Sequence, residues 1–205
     1  MKTIIKAITI CFFALASLNS YAQEDFSTYT NSYNGKTYNI KILSKRKNDV
    51  NIWIDAMSFD KLHYQGGLKI NTKSYHNLMY AIAKAKLKYE EWIKTAKENN
   101  VKELTKTMKY RCKVDTYFKY GDWNYDRNVN LYFEFKIQDK MGEINYLLFI
   151  KTGELQSSRN RLMKVDGLAL VFSSPAEIEK FTNTISIASV NSFLNRPNAN
   201  KLFKD

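Results

Sequence analysis

From Met108 to Phe118, and again from Val129 to Ile137, polarity alternates residue by residue, and this restricts the middle of the chain to a sheet. Met108, Tyr110, Cys112, Val114, Thr116 and Phe118 share one side, with Lys109, Arg111, Lys113, Asp115 and Lys119 on the other. Val129, Leu131, Phe133, Phe135 and Ile137 then alternate with Asn130, Tyr132, Glu134, Lys136 and Gln138. Successive side chains of a strand point to opposite faces, so each run reads as a half-buried strand. The turn "QDKMGE" leads into "INYLLFIK", apolar on both faces as a central strand is. "LMKVDGLALVF" supplies a last strand, bent at Gly167. Strands in close succession imply an antiparallel meander.

The same period appears earlier. Tyr38, Ile40 and Ile42 oppose Thr37, Asn39 and Lys41; Val50, Ile52 and Ile54 follow the polar turn "SKRKND", and "QGGLKIN" suggests a short third strand. Between these groups the period changes. Leu78, Ile82, Ala85, Tyr89, Trp92 and Ala96 form one apolar stripe at helical spacing, with Ser74 as the expected N-cap and Asn99–Asn100 as the stop. "SSPAEIEKF" carries the second helix start: Ser174 as N-cap, Pro175 in the first turn and Glu177 to close a capping box. Ile178, Phe181, Ile185 and Ala188 are its expected buried stripe.

The expected architecture is therefore α+β: an antiparallel sheet of six to seven strands, covered on one side by two amphipathic helices, about 74–99 and 175–194. The order is strands, helix, strands, helix. Residues 23–35, polar and aperiodic, read as a flexible N-terminal arm, and 36–205 as one globular domain.

Residues 1–22 read as an export signal. Lys2 and Lys6 precede an apolar run from Ile8 to Leu18, with Ser20 and Ala22 placed for cleavage. That run is too short to span a bilayer, which needs roughly 20 residues. Removal after Ala22 takes the formal charge from +12 to +10 and leaves Cys112 as the sole cysteine, so no intramolecular disulfide is available. The expectation is a soluble, basic protein of the periplasm or the extracellular space, with no transmembrane segment after cleavage.

Little in the chain points to catalysis. His63 and His76 lack metal-ligand spacing, and Cys112 lies on the face expected to be buried. No nucleophile elbow or phosphate-cradling loop is present. Asp122, Asn124 and Asp126 begin like a calcium loop, but Arg127 and Phe133 stand where glycine and glutamate belong. Glu134, Asp115 and Glu143 are the acids available for a carboxylate pair, and Glu134 is expected to neutralise Arg111 or Lys113 across strands. No metal, cofactor or catalytic residue is assigned, and the expectation is a protein that is not an enzyme.

Two features suggest binding instead. "GDWNYDRNVN", residues 121–130, reads as a loop presenting Trp123 and Tyr125 for stacking. Lys109, Arg111 and Lys113 form a basic row on the sheet's outer face; the lysines of the first helix read as its solvated side. The expected partner is an anionic glycan, a lipid headgroup or a protein, with nucleic acid ranking last because no reading motif is present. The alternatives are a hydrolase whose carboxylates meet in space, or a flat-surfaced inhibitory or structural partner.

Overall fold

The computed structural model describes residues 23–44 and 50–196. The export signal of residues 1–22 and most of the turn at 44–49 lie outside the described residues. The chain is α+β, built on a nine-stranded antiparallel sheet with a separate two-stranded ribbon. The strands of the first half are β1 (Glu24–Thr30), β2 (Thr37–Ser44), β3 (Val50–Asp55), β4 (Met57–Ser58) and β5 (Gly66–Asn71). Helix α1 (Thr72–Glu98) precedes β6 (Leu104–Tyr120), β7 (Asp122–Lys140) and β8 (Glu143–Lys151). The ribbon strands β9 (Leu155–Gln156) and β10 (Lys164–Val165) precede β11 (Leu168–Phe172), and α2 (Pro175–Thr184) and α3 (Ile187–Leu194) follow.

In the sheet the order is β1-β2-β3-β5-β6-β7-β8-β11-β4. The last strand in that order, β4, follows β3 in sequence after Ala56 alone, so the sheet curls back on itself. The Ser32 amide donates to Val171 O at 3.1 Å and Asn31 Nδ2 to Ala169 O at 3.4 Å, tying the first hairpin to β11 as well. Curvature of this kind needs irregular strands. The β6–β7 pairing shifts register between Thr107 and Arg111, where β6 carries the extra residues, and between Val114 and Thr116, where β7 carries one, and such bulges bend these long strands. The β7–β8 turn has φ of +55° at Met141 and +86° at Gly142, the pairing that a two-residue hairpin with the right strand twist requires.

The alternation reads out as expected. Ile40, Ile54, Phe118, Phe133, Phe135 and Ile150 are fully buried in one cluster with Leu78, Ile82, Ala85 and Tyr89 of α1. β8 lies between β7 and β11, and Leu147, Leu148, Phe149 and Ile150 are all buried, as a central strand demands. Helix α1 seats its stripe on the sheet, with Tyr89 Oη donating to Tyr146 O at 2.8 Å. Every buried residue of the three helices belongs to this cluster. On the opposite face a smaller cluster of strand residues forms from Met57, Leu147, Phe149, Ala169 and Val171.

Several expectations need correction. The strands exceed six to seven because two-residue pieces such as β4 and β9 carry no readable period. Residues 23–35, expected as a loose arm, contain β1, whose Tyr29 is buried against Tyr38, Phe172 and Phe181. The α1 cap is Asn71, not Ser74: Asn71 Oδ1 accepts from the Lys73 and Ser74 amides, and Ser74 Oγ accepts in turn from the Asn71 amide. The second helix breaks after Thr184, because Ser186 caps a new helix by accepting from the Ser189 amide. Ser174 does cap α2, but Glu177 bonds the Ser173 amide at 2.7 Å and Ser32 Oγ at 2.6 Å rather than its own N-cap. No helix among the described residues is long and apolar enough to cross a membrane.

Candidate functional site

Trp53 and Asp55 occupy the β3 positions between Ile52, Ile54 and Ala56, so they face away from the helices. Cross-strand register then sets their neighbours. Lys41, Trp53, Lys69 and Asp115 form one row across β2, β3, β5 and β6. Asp55, Gly67, Tyr117 and Tyr125 form the next, across β3, β5, β6 and β7.

The second row contains an unusual reach. Gly67 stands between Asp55 and Tyr117, and a Cβ there would lie 2.4 Å from Tyr117 Oη. The missing side chain lets the phenol lie over β5 and donate to Asp55 Oδ1 at 2.6 Å. Burial, and then the Asp55 charge, raise the Tyr117 pKa far above the ordinary phenol range, so this hydroxyl remains a donor. Trp53 packs on Tyr117 with ring centres 4.9 Å apart and on Tyr125 at 6.0 Å, and Trp123 meets Tyr117 at 5.8 Å. Lys69 Nζ sits 5.4 Å from the Trp53 ring centre. The result is an aromatic cluster in which Trp53, Trp123 and Tyr125 reach solvent over the buried Tyr117, with Lys41 and Lys69 beside it.

Beside it opens a cleft of about 460 Å³, bordered by Tyr38, Lys41, Asp55, Tyr64, Gln65 and Trp123. Its outer wall is the loop between β4 and β5, which is internally braced. Asp60 Oδ1 accepts from the Leu62 and His63 amides at 2.8 Å, and Ser58 Oγ donates to His63 O at 3.0 Å. The His63 amide above all holds the Asp60 carboxyl below its ordinary pKa. The His63 ring stacks on Tyr120 at 4.1 Å, fixing the loop that carries Tyr64 to the rim.

The expected binding residues divide into two groups. Trp123 and Tyr125 lie on this face, but not in a loop: β6 runs to Tyr120, the chain turns at Gly121, and both aromatics belong to β7. Continued strand pairing, including Tyr117 with Tyr125, takes in most of the stretch expected as a loop, leaving Gly121 in the turn and Arg127–Asn128 in a bulge. Lys109, Arg111 and Lys113 are exposed farther along β6. Arg111 is partly committed, since its Nη1 donates to Met108 O and Tyr110 O at 2.8 and 2.9 Å, and its guanidinium covers Tyr132. Glu134 neutralises Lys151 at 2.8 Å instead of Arg111 or Lys113. Tyr132, not Glu134, is the register partner of Arg111. Asp115 accepts from the Asn128 amide, opposite the β7 bulge, and Glu143 is exposed beside the β7–β8 turn, so the three acids are spread over three strands.

Trp53, Asp55, Lys41, Tyr64 and Tyr117 of this candidate site are not among the residues that the sequence singles out. The signal for two of them was available, since a tryptophan and an aspartate between core isoleucines mark a strand face that water does not fully own. Tyr64 and the Gly67 crossing depend on tertiary register alone.

Elsewhere, no group of three or more His, Cys, Asp or Glu among the described residues is placed to hold a metal ion. Cys112 is buried, and burial pushes its thiol up to about pKa 12. It should therefore resist alkylation by iodoacetamide at pH 8 in the folded protein and react only on denaturation; rapid native labelling, followed by mass spectrometry, would contradict the packing described. No protein-family model, curated protein or solved structure gives a significant match to this chain.

Proposed function

We propose that this is an exported, non-enzymatic binding protein that engages an anionic component of the cell envelope or the extracellular space. The observation that carries the reading is the aromatic surface of Trp53, Trp123 and Tyr125 over the buried Tyr117, bordered by Lys41 and Lys69 on the sheet face that the helices leave uncovered. Aromatic faces supply apolar contact at low entropic cost, and unpaired cations supply attraction to a polyanion. Lys109 and Lys113 extend the positive field along the same strand, with Arg111 contributing charge but less freedom. From Tyr117 to Lys109 the span is roughly 26 Å at about 3.3 Å per residue, long enough to track a polymer rather than a single small molecule.

The hydrolase alternative has weaker support. Paired-carboxylate hydrolysis needs two convergent acids about 5–9.5 Å apart. Among the described residues bordering the cleft, Asp55 is the sole carboxylate, and one of its oxygens is held by Tyr117.

Binding of the purified protein to a sulfated polysaccharide, anionic vesicles and nucleic acid across a salt series tests this reading. We expect binding to the polysaccharide that weakens steeply with salt, and a flatter log–log slope in the Lys109→Ala/Lys113→Ala double variant. Failure of every polyanion to bind at low salt would reject the proposal.

A further inference from the structure

The geometry points to a narrower assignment: the cleft beside Asp55 is a subsite for an acidic sugar, a uronate or sulfated pyranose. It would hold the ring on Trp123, a hydroxyl on Asp55 and the acid group on Lys41 and Lys36. This assignment rests on the binding reading above and specifies its ligand.

Four observations converge on it. Trp123 and Tyr64 border the cleft and remain 47% and 69% exposed, which leaves aromatic surface without a protein partner. A pyranose ring presents an apolar C–H face to such surface while keeping its hydroxyls at the edge. Second, Asp55 Oδ1 is occupied by Tyr117, whereas Oδ2 accepts no hydrogen bond from any described residue. An ionised oxygen so placed is a strong acceptor for a ligand hydroxyl. Third, Tyr38 Oη accepts from Asn34 Nδ2 at 3.0 Å, which leaves its own O–H to donate toward the cleft it borders. Fourth, Lys36 and Lys41 form no ion pair among the described residues, so the cleft carries more positive than negative charge.

This combination discriminates among anions. A phosphate-only ligand would leave the aromatic rim unused and would meet Asp55 as a repelling charge. An apolar peptide would strand the second Asp55 oxygen and the Gln65 amide without partners, at a cost. An acidic sugar satisfies the carboxylate through hydroxyls and the lysines through its acid group. The cleft volume of about 460 Å³ falls in the range of small-ligand sites.

Isothermal titration with short oligogalacturonates, neutral glucan oligomers of equal length and a single-stranded oligonucleotide tests the assignment. The oligogalacturonate should bind about tenfold or more tightly than the neutral oligomer, and the oligonucleotide weakly. Trp123→Ala should weaken oligogalacturonate binding about tenfold, and Lys41→Ala should shrink the difference between acidic and neutral oligomers. Tyr64→Ala, at a position 69% exposed, provides a second rim variant should Trp123→Ala fold poorly. Equal binding of acidic and neutral oligomers would overturn the assignment. So would binding unaffected by both rim variants, or tighter binding of the oligonucleotide. If oligogalacturonate fails while a sulfated polysaccharide still binds through Lys109 and Lys113, the subsite is refuted and the broader reading stands. If no polyanion binds, both fall.

Discussion

Phe135→Ala is expected to lower stability by about 3–5 kcal/mol, the cost typical of emptying a fully buried phenylalanine site. Phe135 has no exposed surface and is one of the places where side chains of α1 meet the sheet. Its ring lies 5.7 Å from those of both Tyr89 and Trp92 and is stacked with Tyr146 at 6.5 Å. Tyr89 is fixed by its bond to Tyr146 O, so the helix has little freedom to collapse into the space. In a domain of this size each kcal/mol moves the melting temperature by about 2–4 °C, which places the shift at roughly 6–20 °C. A thermal melt followed by circular dichroism measures it. The second face lies across the sheet, so binding by the folded fraction should survive. A shift under about 2 °C would mean that α1 is not packed on β7 as described.

Gly67→Ala is expected to damage both stability and the candidate site. Its Cβ would stand 2.2 Å from Ile54 O as well as 2.4 Å from Tyr117 Oη. The first obstacle is backbone on the neighbouring strand, so β3 and β5 must separate locally; the second is the phenol that reaches Asp55. Overpacking of this kind costs about 1–3 kcal/mol. Displacing Tyr117 also releases Asp55 and shifts Trp53, which packs on the same ring. The expected outcome is a melting temperature lowered by roughly 2–12 °C together with weakened ligand binding. An unchanged melt with unchanged tryptophan emission would show that Tyr117 does not cross Gly67.

How much of this could be read beforehand depends on the range of the forces involved. The alternation from Met108 to Ile137 and the α1 stripe are local consequences of burial, and they appear in the structure with the predicted residues inside. The α+β class followed from them. β1 was obscured because "EDFSTYT" buries only Tyr29 fully, and its pairing with β2 is held by backbone bonds that leave no hydrophobic period. The break in the second helix was hidden because Ile185 is buried as its stripe requires, while Ser186 starts a new cap one residue later. Ala188, expected in that stripe, is exposed, and Val190 takes the buried position.

The site was legible in part. Trp123 and Tyr125 stood out as aromatics among turn formers, although that same composition suggested a loop where β7 continues. Trp53 and Asp55 were eclipsed by the isoleucines beside them. The bond from Tyr117 to Asp55 spans 62 residues of sequence and depends on a glycine's missing side chain, which periodicity cannot express. The basic row was visible because charge on one strand face is local, but the tie of Arg111 to the Met108 and Tyr110 carbonyls needed the bulge.

The central claim is that the aromatic surface on the uncovered sheet face receives an anionic ligand, and tryptophan emission tests it directly. Trp53 and Trp123 lie on that face, whereas Trp92 packs on Phe135 on the helix side. A Trp92→Phe variant therefore reports from the candidate site alone. Titration with a sulfated polysaccharide at low salt should change its emission saturably, with the effect reversed by added salt and reduced by Trp123→Ala. Polysaccharide binding detected by an independent method with no change in the emission of Trp53 and Trp123 would contradict the claim and place the ligand elsewhere on the molecule.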